Sequence, residues 1–106
     1  MSAKFYVRFD DAEFYAARTA EILGALARLP TFSFHSGGEV WLRGTEDDHP
    51  ERWPFDVRIF VRDEFILLEI SVKPESIERD LAAFLSWLRK QTSIRVVDDD
   101  GEPTNW

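Results

Sequence analysis

Two histidines, His35 and His49, come first among residues that could do chemistry, because imidazole exchanges protons near neutral pH. A catalytic pair or triad needs one of them beside a nucleophile and an orienting acid. His35 falls on the outer face of a strand and His49 in a proline-flanked loop, and the sequence implies no partner for either. Both read as solvated surface residues, so no catalytic residue is assigned.

The acids come next. Glu46, Asp47, Asp48, His49 and Glu51 carry metal-capable groups, and Asp98-Asp99-Asp100-Gly101-Glu102 has the outline of a calcium loop. Neighbouring carboxylates on extended chain point apart, and the first run matches no zinc or calcium spacing. The second lacks the alternating ligands and the glycine and glutamate positions of a calcium loop. Both read as solvated acids, with no metal or cofactor expected. Paired-carboxylate hydrolysis needs two acids at a set separation, and nothing singles out such a pair. Gly37-Gly38 has no helix behind it and reads as a turn rather than a phosphate cradle. The chain therefore reads as a non-enzyme.

What must be positioned, then, is a surface. At 106 residues with 44% hydrophobic content the chain reads as a single domain, residues 1–106, with its own core. Its acidic tail, residues 98–106, is expected to be partly mobile. Thirteen Lys and Arg against twenty Asp and Glu leave a net charge of −7. That balance disfavours nucleic acid and an anionic membrane surface, and suits a basic protein partner or simple solubility. Cysteine is absent, so there is no disulfide framework. The opening MSAKFYVRF has no signal-peptide pattern and no window has the apolar length of a membrane span, which makes a cytoplasmic location the expectation.

The firmest element is a hairpin over Phe55–Val72, FDVRIFVRDEFILLEISV. A two-residue turn at Asp63-Glu64 pairs Val61 with Ile66, Ile59 with Leu68, Val57 with Ile70 and Phe55 with Val72 on the inner face. Phe60 with Leu67, Arg58 with Glu69 and Asp56 with Ser71 lie on the other. Lys4–Phe9 alternates as a first strand. Asp10 and Glu13 resemble a capping box for a helix ending near Leu29, before Pro30. Thr31–Arg43 reads as a second hairpin around the glycines. There a three-residue loop pairing Phe34 with Leu42 and Ser36 with Val40 gives the cleaner apolar face and sets His35 opposite Trp41. Pro74 opens a second helix with Ile77, Leu81, Phe84, Leu85 and Leu88 on one stripe, and Ser93–Val97 forms a last strand. The expected fold class is α+β, a two-layer sandwich of order β-α-β-β-β-β-α-β, with two helices on one face of a mostly antiparallel sheet.

On these registers Tyr6, His35, Trp41, Phe60 and Leu67, with Phe65 at the hairpin end, project from the helix-free face. Exposed aromatics in a cluster mark an interface, unless Trp53, Trp106 or a homodimer covers them. An RNA-stacking platform is disfavoured by the charge. Trp87 flanks the second helical stripe.

From Leu81 the chain reads LAAFLSWLRKQTSIRVVDDDGEPTNW. A helix with Trp87-Leu88, then Thr92, the strand Ile94–Val97, the acidic run and Trp106 resemble small immunity proteins of bacterial polymorphic toxin systems. The resemblance implies a non-enzymatic inhibitor of one toxic enzyme, often acting at its active site. Partner-binding acids are then Glu46, Asp47, Asp48, Glu51, Asp98, Asp99 and Asp100, steering a basic toxin domain. Partner-binding anchors are Trp41, Trp53, Phe60 and Trp87. A small acidic dimeric secretion chaperone or adaptor is the alternative.

Overall fold

A computed structural model describes residues 2–46 and 54–106. The order is β1 (Ala3–Phe9), α1 (Ala12–Ala27), β2 (Phe32–Ser36), β3 (Glu39–Leu42), β4 (Val57–Val61), β5 (Phe65–Ile70), α2 (Glu75–Arg89) and β6 (Ile94–Asp98). The α+β class and the element order are those expected. The strands form one sheet in the order β2-β3-β4-β5-β1-β6, and every neighbouring pair is antiparallel. The chain passes from β5 through α2 to β6, leaving room for β1 between those two strands. Among the described residues no helix is long and apolar enough to cross a membrane.

Alternation builds one side of the core. Val7, Val40, Leu42, Val57, Ile59, Ile66, Leu68, Ile70 and Val96 all point to the same face and are buried. Tyr15, Ile22 and Leu26 of α1 and Ile77, Leu81, Phe84, Leu85 and Leu88 of α2 close over them in a single cluster. Both helices therefore cover one face. Each fully buried aliphatic side chain contributes about 1.5–3 kcal/mol, which is what holds the layers together.

The β4–β5 register is the expected one, from Val57 opposite Ile70 to Val61 opposite Ile66, with Arg58 opposite Glu69. Tyr15 locks its turn from the helix layer: the hydroxyl donates to the carbonyls of Arg62 at 2.5 Å and Phe65 at 3.0 Å. Below Val57 the alternation inverts, a correction to the expected Phe55–Val72 pair. Asp56 is the buried residue, its carboxylate accepting from the Gly44 amide at 2.7 Å, and Val72 is 53% exposed. Phe55 turns to the other face and packs on Trp41, ring centroids 5.0 Å apart. A hydrogen bond to a buried backbone amide outweighs continuation of the apolar pattern here.

The second hairpin also departs from expectation. Phe34 faces Trp41, His35 faces Val40 and Ser36 faces Glu39, so the loop is the two-residue Gly37-Gly38 turn with Gly37 at φ +58°. An irregularity at Ser33 then returns Phe32 to Leu42. The bulge absorbs the extra residue and lets Phe32 face the core while Phe34 faces out, so burial pattern and glycine turn are both satisfied. As a result His35 lies on the Val40 side of edge strand β2, exposed, and not on the face that carries Trp41.

Three ends complete the fold. Asp11, not Asp10, caps α1 by accepting from the Phe14 amide at 3.0 Å; Asp10 is held instead by the Ser93 hydroxyl and Arg95. Pro74 is the N-cap of α2 and supplies no side-chain hydrogen bond. Residues 98–106 fold back along β6, through a Val97–Pro103 bridge and a Thr104 amide bonded to the Val96 carbonyl at 3.1 Å.

Candidate functional site

Period-2 alternation that sends the aliphatics inward sends a different set outward. Across β3, β4, β5, β1 and β6 one outward row runs Glu39, Phe60, Leu67, Tyr6, Val97. On one side of it lies the row Phe34, Trp41, Arg58, Glu69, Lys4, and on the other Arg62, Phe65, Arg8, Arg95. Neither helix reaches this face. Phe34 is 42% exposed, while Trp41, Phe55, Phe60, Phe65 and Tyr6 are half-buried.

Part of the cover comes from the sheet itself. The Arg58 guanidinium forks onto the Glu69 carboxylate and lies 4.7 Å from the Phe55 ring centre. Arg62 stacks on Phe60 at 4.7 Å, and Arg8 sits over Phe65 at 5.0 Å and Tyr6 at 5.6 Å. Such cation–π contacts contribute about 0.5–1 kcal/mol each at exposed sites and fix the orientation of both partners. Trp41 is held by its Nε1–H donating to Glu39 at 2.5 Å and by Phe34, ring centroids 4.6 Å apart. The Tyr6 hydroxyl donates to Asp99 at 3.1 Å; partial burial, and then that carboxylate, hold its pKa above the ordinary tyrosine value. The face is a firm platform of rings with arginines laid between them.

The residues singled out from the sequence divide. Trp41 and Phe60 are brought together on this face, and Asp99 reaches its edge through Tyr6. Trp87 lies on the helix layer, stacked with Phe84 at 6.2 Å, on the opposite side of the sheet. Trp106 packs edge-on against inward-facing Phe5 at 6.2 Å and so does not cover the aromatic face. Asp98 is turned into its own loop, one carboxylate oxygen accepting from the amides of Asp100 and Glu102, while Asp100 is exposed. Asp47, Asp48, His49, Glu51 and Trp53 lie outside the described residues.

Glu46 has an internal task. Its carboxylate accepts from the Ser76 amide at 2.6 Å and from the Ser76 hydroxyl, capping α2 where Pro74 offers nothing. These Ser76 hydrogen bonds hold its pKa below the ordinary glutamate range. A lowered carboxylate pKa contributes stability above the unfolded value, and the contribution is lost as pH falls through the folded one. Glu46→Gln is therefore expected to lower the denaturation midpoint at neutral pH, with the gap to wild type closing below the glutamate range. An equal gap at both ends of that pH series would remove the cap assignment.

The arginines and Phe55 were missed in reading the sequence for sites. For Arg8, Arg58, Arg62 and Arg95 the signal was available, since three stand at outward strand positions and Arg62 continues the alternation just past β4. Phe55 had no such signal. Elsewhere a groove of about 730 Å³ runs between Phe5, Lys73, Arg79 and Trp106. Its Lys73 pairs with Glu78 at 4.0 Å and stacks on Trp106 at 5.1 Å, so that cation is engaged with the groove's own walls. No protein-family model, curated protein or solved structure matches the chain.

Proposed function

We propose that this chain is a non-enzymatic protein-binding inhibitor that docks through the helix-free face of its sheet, in the role of an immunity protein neutralising a cognate bacterial toxin at its active or substrate site. The observation that supports the reading is the face itself, where Trp41, Phe60, Tyr6 and Phe65 stand among arginines. Tryptophan, tyrosine and arginine are the residues that most often carry binding energy at protein interfaces. They are also pre-positioned here by ring packing and ion pairing, which lowers the entropy cost of docking. The net charge of −7, with Asp99 and Asp100 exposed at the rim, adds a long-range field that steers a partner of opposite overall charge.

The test begins from the neighbouring reading frame in the source genome. Its product, expressed alone in a bacterial host, is expected to arrest growth, and co-expression of this chain is expected to restore it. Trp41→Ala is expected to weaken the purified complex by about tenfold or more, as for a central anchor. Sedimentation of the free chain as a monomer separates this reading from a dimeric chaperone. A harmless neighbour, or rescue and affinity indifferent to Trp41, counts against the proposal.

A further inference from the structure

The row Arg62, Phe65, Arg8, Arg95 places three guanidinium groups across neighbouring strands, with Arg8 directly opposite Arg95. Like charges set opposite one another in a sheet are unfavourable unless something answers them. Arg95 is answered by Asp10 at 3.1 Å. Among the described residues Arg8 and Arg62 meet no carboxylate; both are exposed and rest on aromatic rings. Together with Lys4 and Arg58, the three rows hold five cations against Glu39 and Glu69, with Asp10 and Asp99 at the edge, so the centre of the face around Arg8 and Arg62 is locally positive on a chain of net charge −7. Net charge describes the distant field, whereas contact is decided by the face, and the two have opposite signs.

We propose that this arginine row is a clasp for the carboxylates of a short acidic segment on the protein partner. The inference rests on the protein-docking role given above to the same face, and reverses the polarity that net charge alone implies for the contact. Guanidinium is a planar fork that matches a carboxylate with two parallel hydrogen bonds, and a ring beneath it holds the fork in place. Acids bound the row at both ends, Asp10 beside Arg95 and the Asp63-Glu64 turn beyond Arg62, so it accommodates one or two carboxylates rather than an extended polyanion. Three features set nucleic acid aside. The rings are already capped by guanidinium groups, Glu39 and Glu69 interrupt the face, and the whole chain repels a phosphate backbone at long range.

The experiment uses three labelled probes on the full chain: a short peptide with two glutamates among serine, glycine and tyrosine, its lysine-for-glutamate counterpart, and oligouridylate. The glutamate peptide is expected to bind, to shift the amide resonances of Arg8, Phe65 and Arg62, and to weaken as salt rises. Arg8→Glu with Arg62→Glu is expected to weaken it by about tenfold or more. Arg8→Gln with Arg62→Gln, which removes the charge without adding an opposite one, is expected to weaken binding in the same direction, with only a small drop in melting temperature from the lost cation–π contacts. Preference for the lysine peptide, preference for oligouridylate, or binding of none of the three overturns the proposal. Toxin rescue that fails while the glutamate peptide still binds removes only the immunity reading.

Discussion

Replacing Tyr15 with alanine is expected to cost about 3–5 kcal/mol in chemical denaturation, the range for deleting a fully buried aromatic side chain. Tyr15 is 1% exposed and stacks on Phe9 with ring centroids 4.3 Å apart. Its hydroxyl also satisfies the carbonyls on either side of the β4–β5 turn. Since domains of this size carry about 5–15 kcal/mol in all, the alanine variant sits near the edge of folding. Tyr15→Phe isolates the hydroxyl and is expected to cost about 1–2 kcal/mol, leaving the Arg62 carbonyl without that donor.

The same hydroxyl makes a pH prediction. Burial, and then the nearby Asp63 charge, push the Tyr15 pKa up to about 12 from 10.0. The folded chain holds the neutral phenol more strongly than the unfolded chain does. Its contribution is therefore complete below the unfolded pKa and is lost as pH climbs from there through the folded value. Wild type should lose stability over that alkaline window and Tyr15→Phe should lose less. If the two fall in parallel, the phenol is not the group responsible. Because Tyr15 fixes the turn that presents Arg62 and Phe65, weaker glutamate-peptide binding should accompany the loss of stability.

Asp56→Ala is expected to cost about 2–3 kcal/mol, the range for removing a charged partner from a buried amide. Asp56 ties three strands at one end of the sheet. Its amide donates to the Leu42 carbonyl at 2.8 Å, its carbonyl accepts from the Ser71 amide at 2.8 Å, and its carboxylate takes the Gly44 amide. Gly44 has no room for a side chain, since a Cβ there would stand 2.6 Å from Pro74 Cγ and 3.1 Å from the Asp56 carboxylate. With the carboxylate gone, the hold on residue 56 weakens, and the packing of neighbouring Phe55 on Trp41 is expected to loosen. Urea denaturation reads the stability, and amide shifts of Trp41 and Phe34 read the loosening of the aromatic face. Asp56→Asn keeps one acceptor oxygen and is expected to cost less than alanine. Equal costs for the two would place the effect elsewhere than in the Gly44 hydrogen bond.

Much of the architecture is legible in the sequence. Alternation over Val57–Ile70 specified a register that the hairpin adopts residue for residue, because a slip by one would turn half of the inward apolar set outward. The stripe from Ile77 to Leu88 is buried throughout for the same reason: many weak preferences with one period add up. The outward positions of Tyr6, Trp41, Phe60 and Leu67 followed from alternation within their own strands.

What the tertiary structure alone decided lies where one strong local interaction overrides a period. The Gly44 amide draws Asp56 inward and so reverses Phe55; the bulge at Ser33 shifts the second hairpin and takes His35 off the aromatic face. Glu46 changes from a surface acid into the cap of a helix far along the chain, because Pro74 left Ser76 without a partner. Strand order matters most for function. Arg62 directly follows β4, Arg8 is on β1 and Arg95 on β6, and only the insertion of β1 between β5 and β6 sets them in one row. Periodicity assigns each arginine to a face, but pairing between strands distant in sequence decides which neighbours share it.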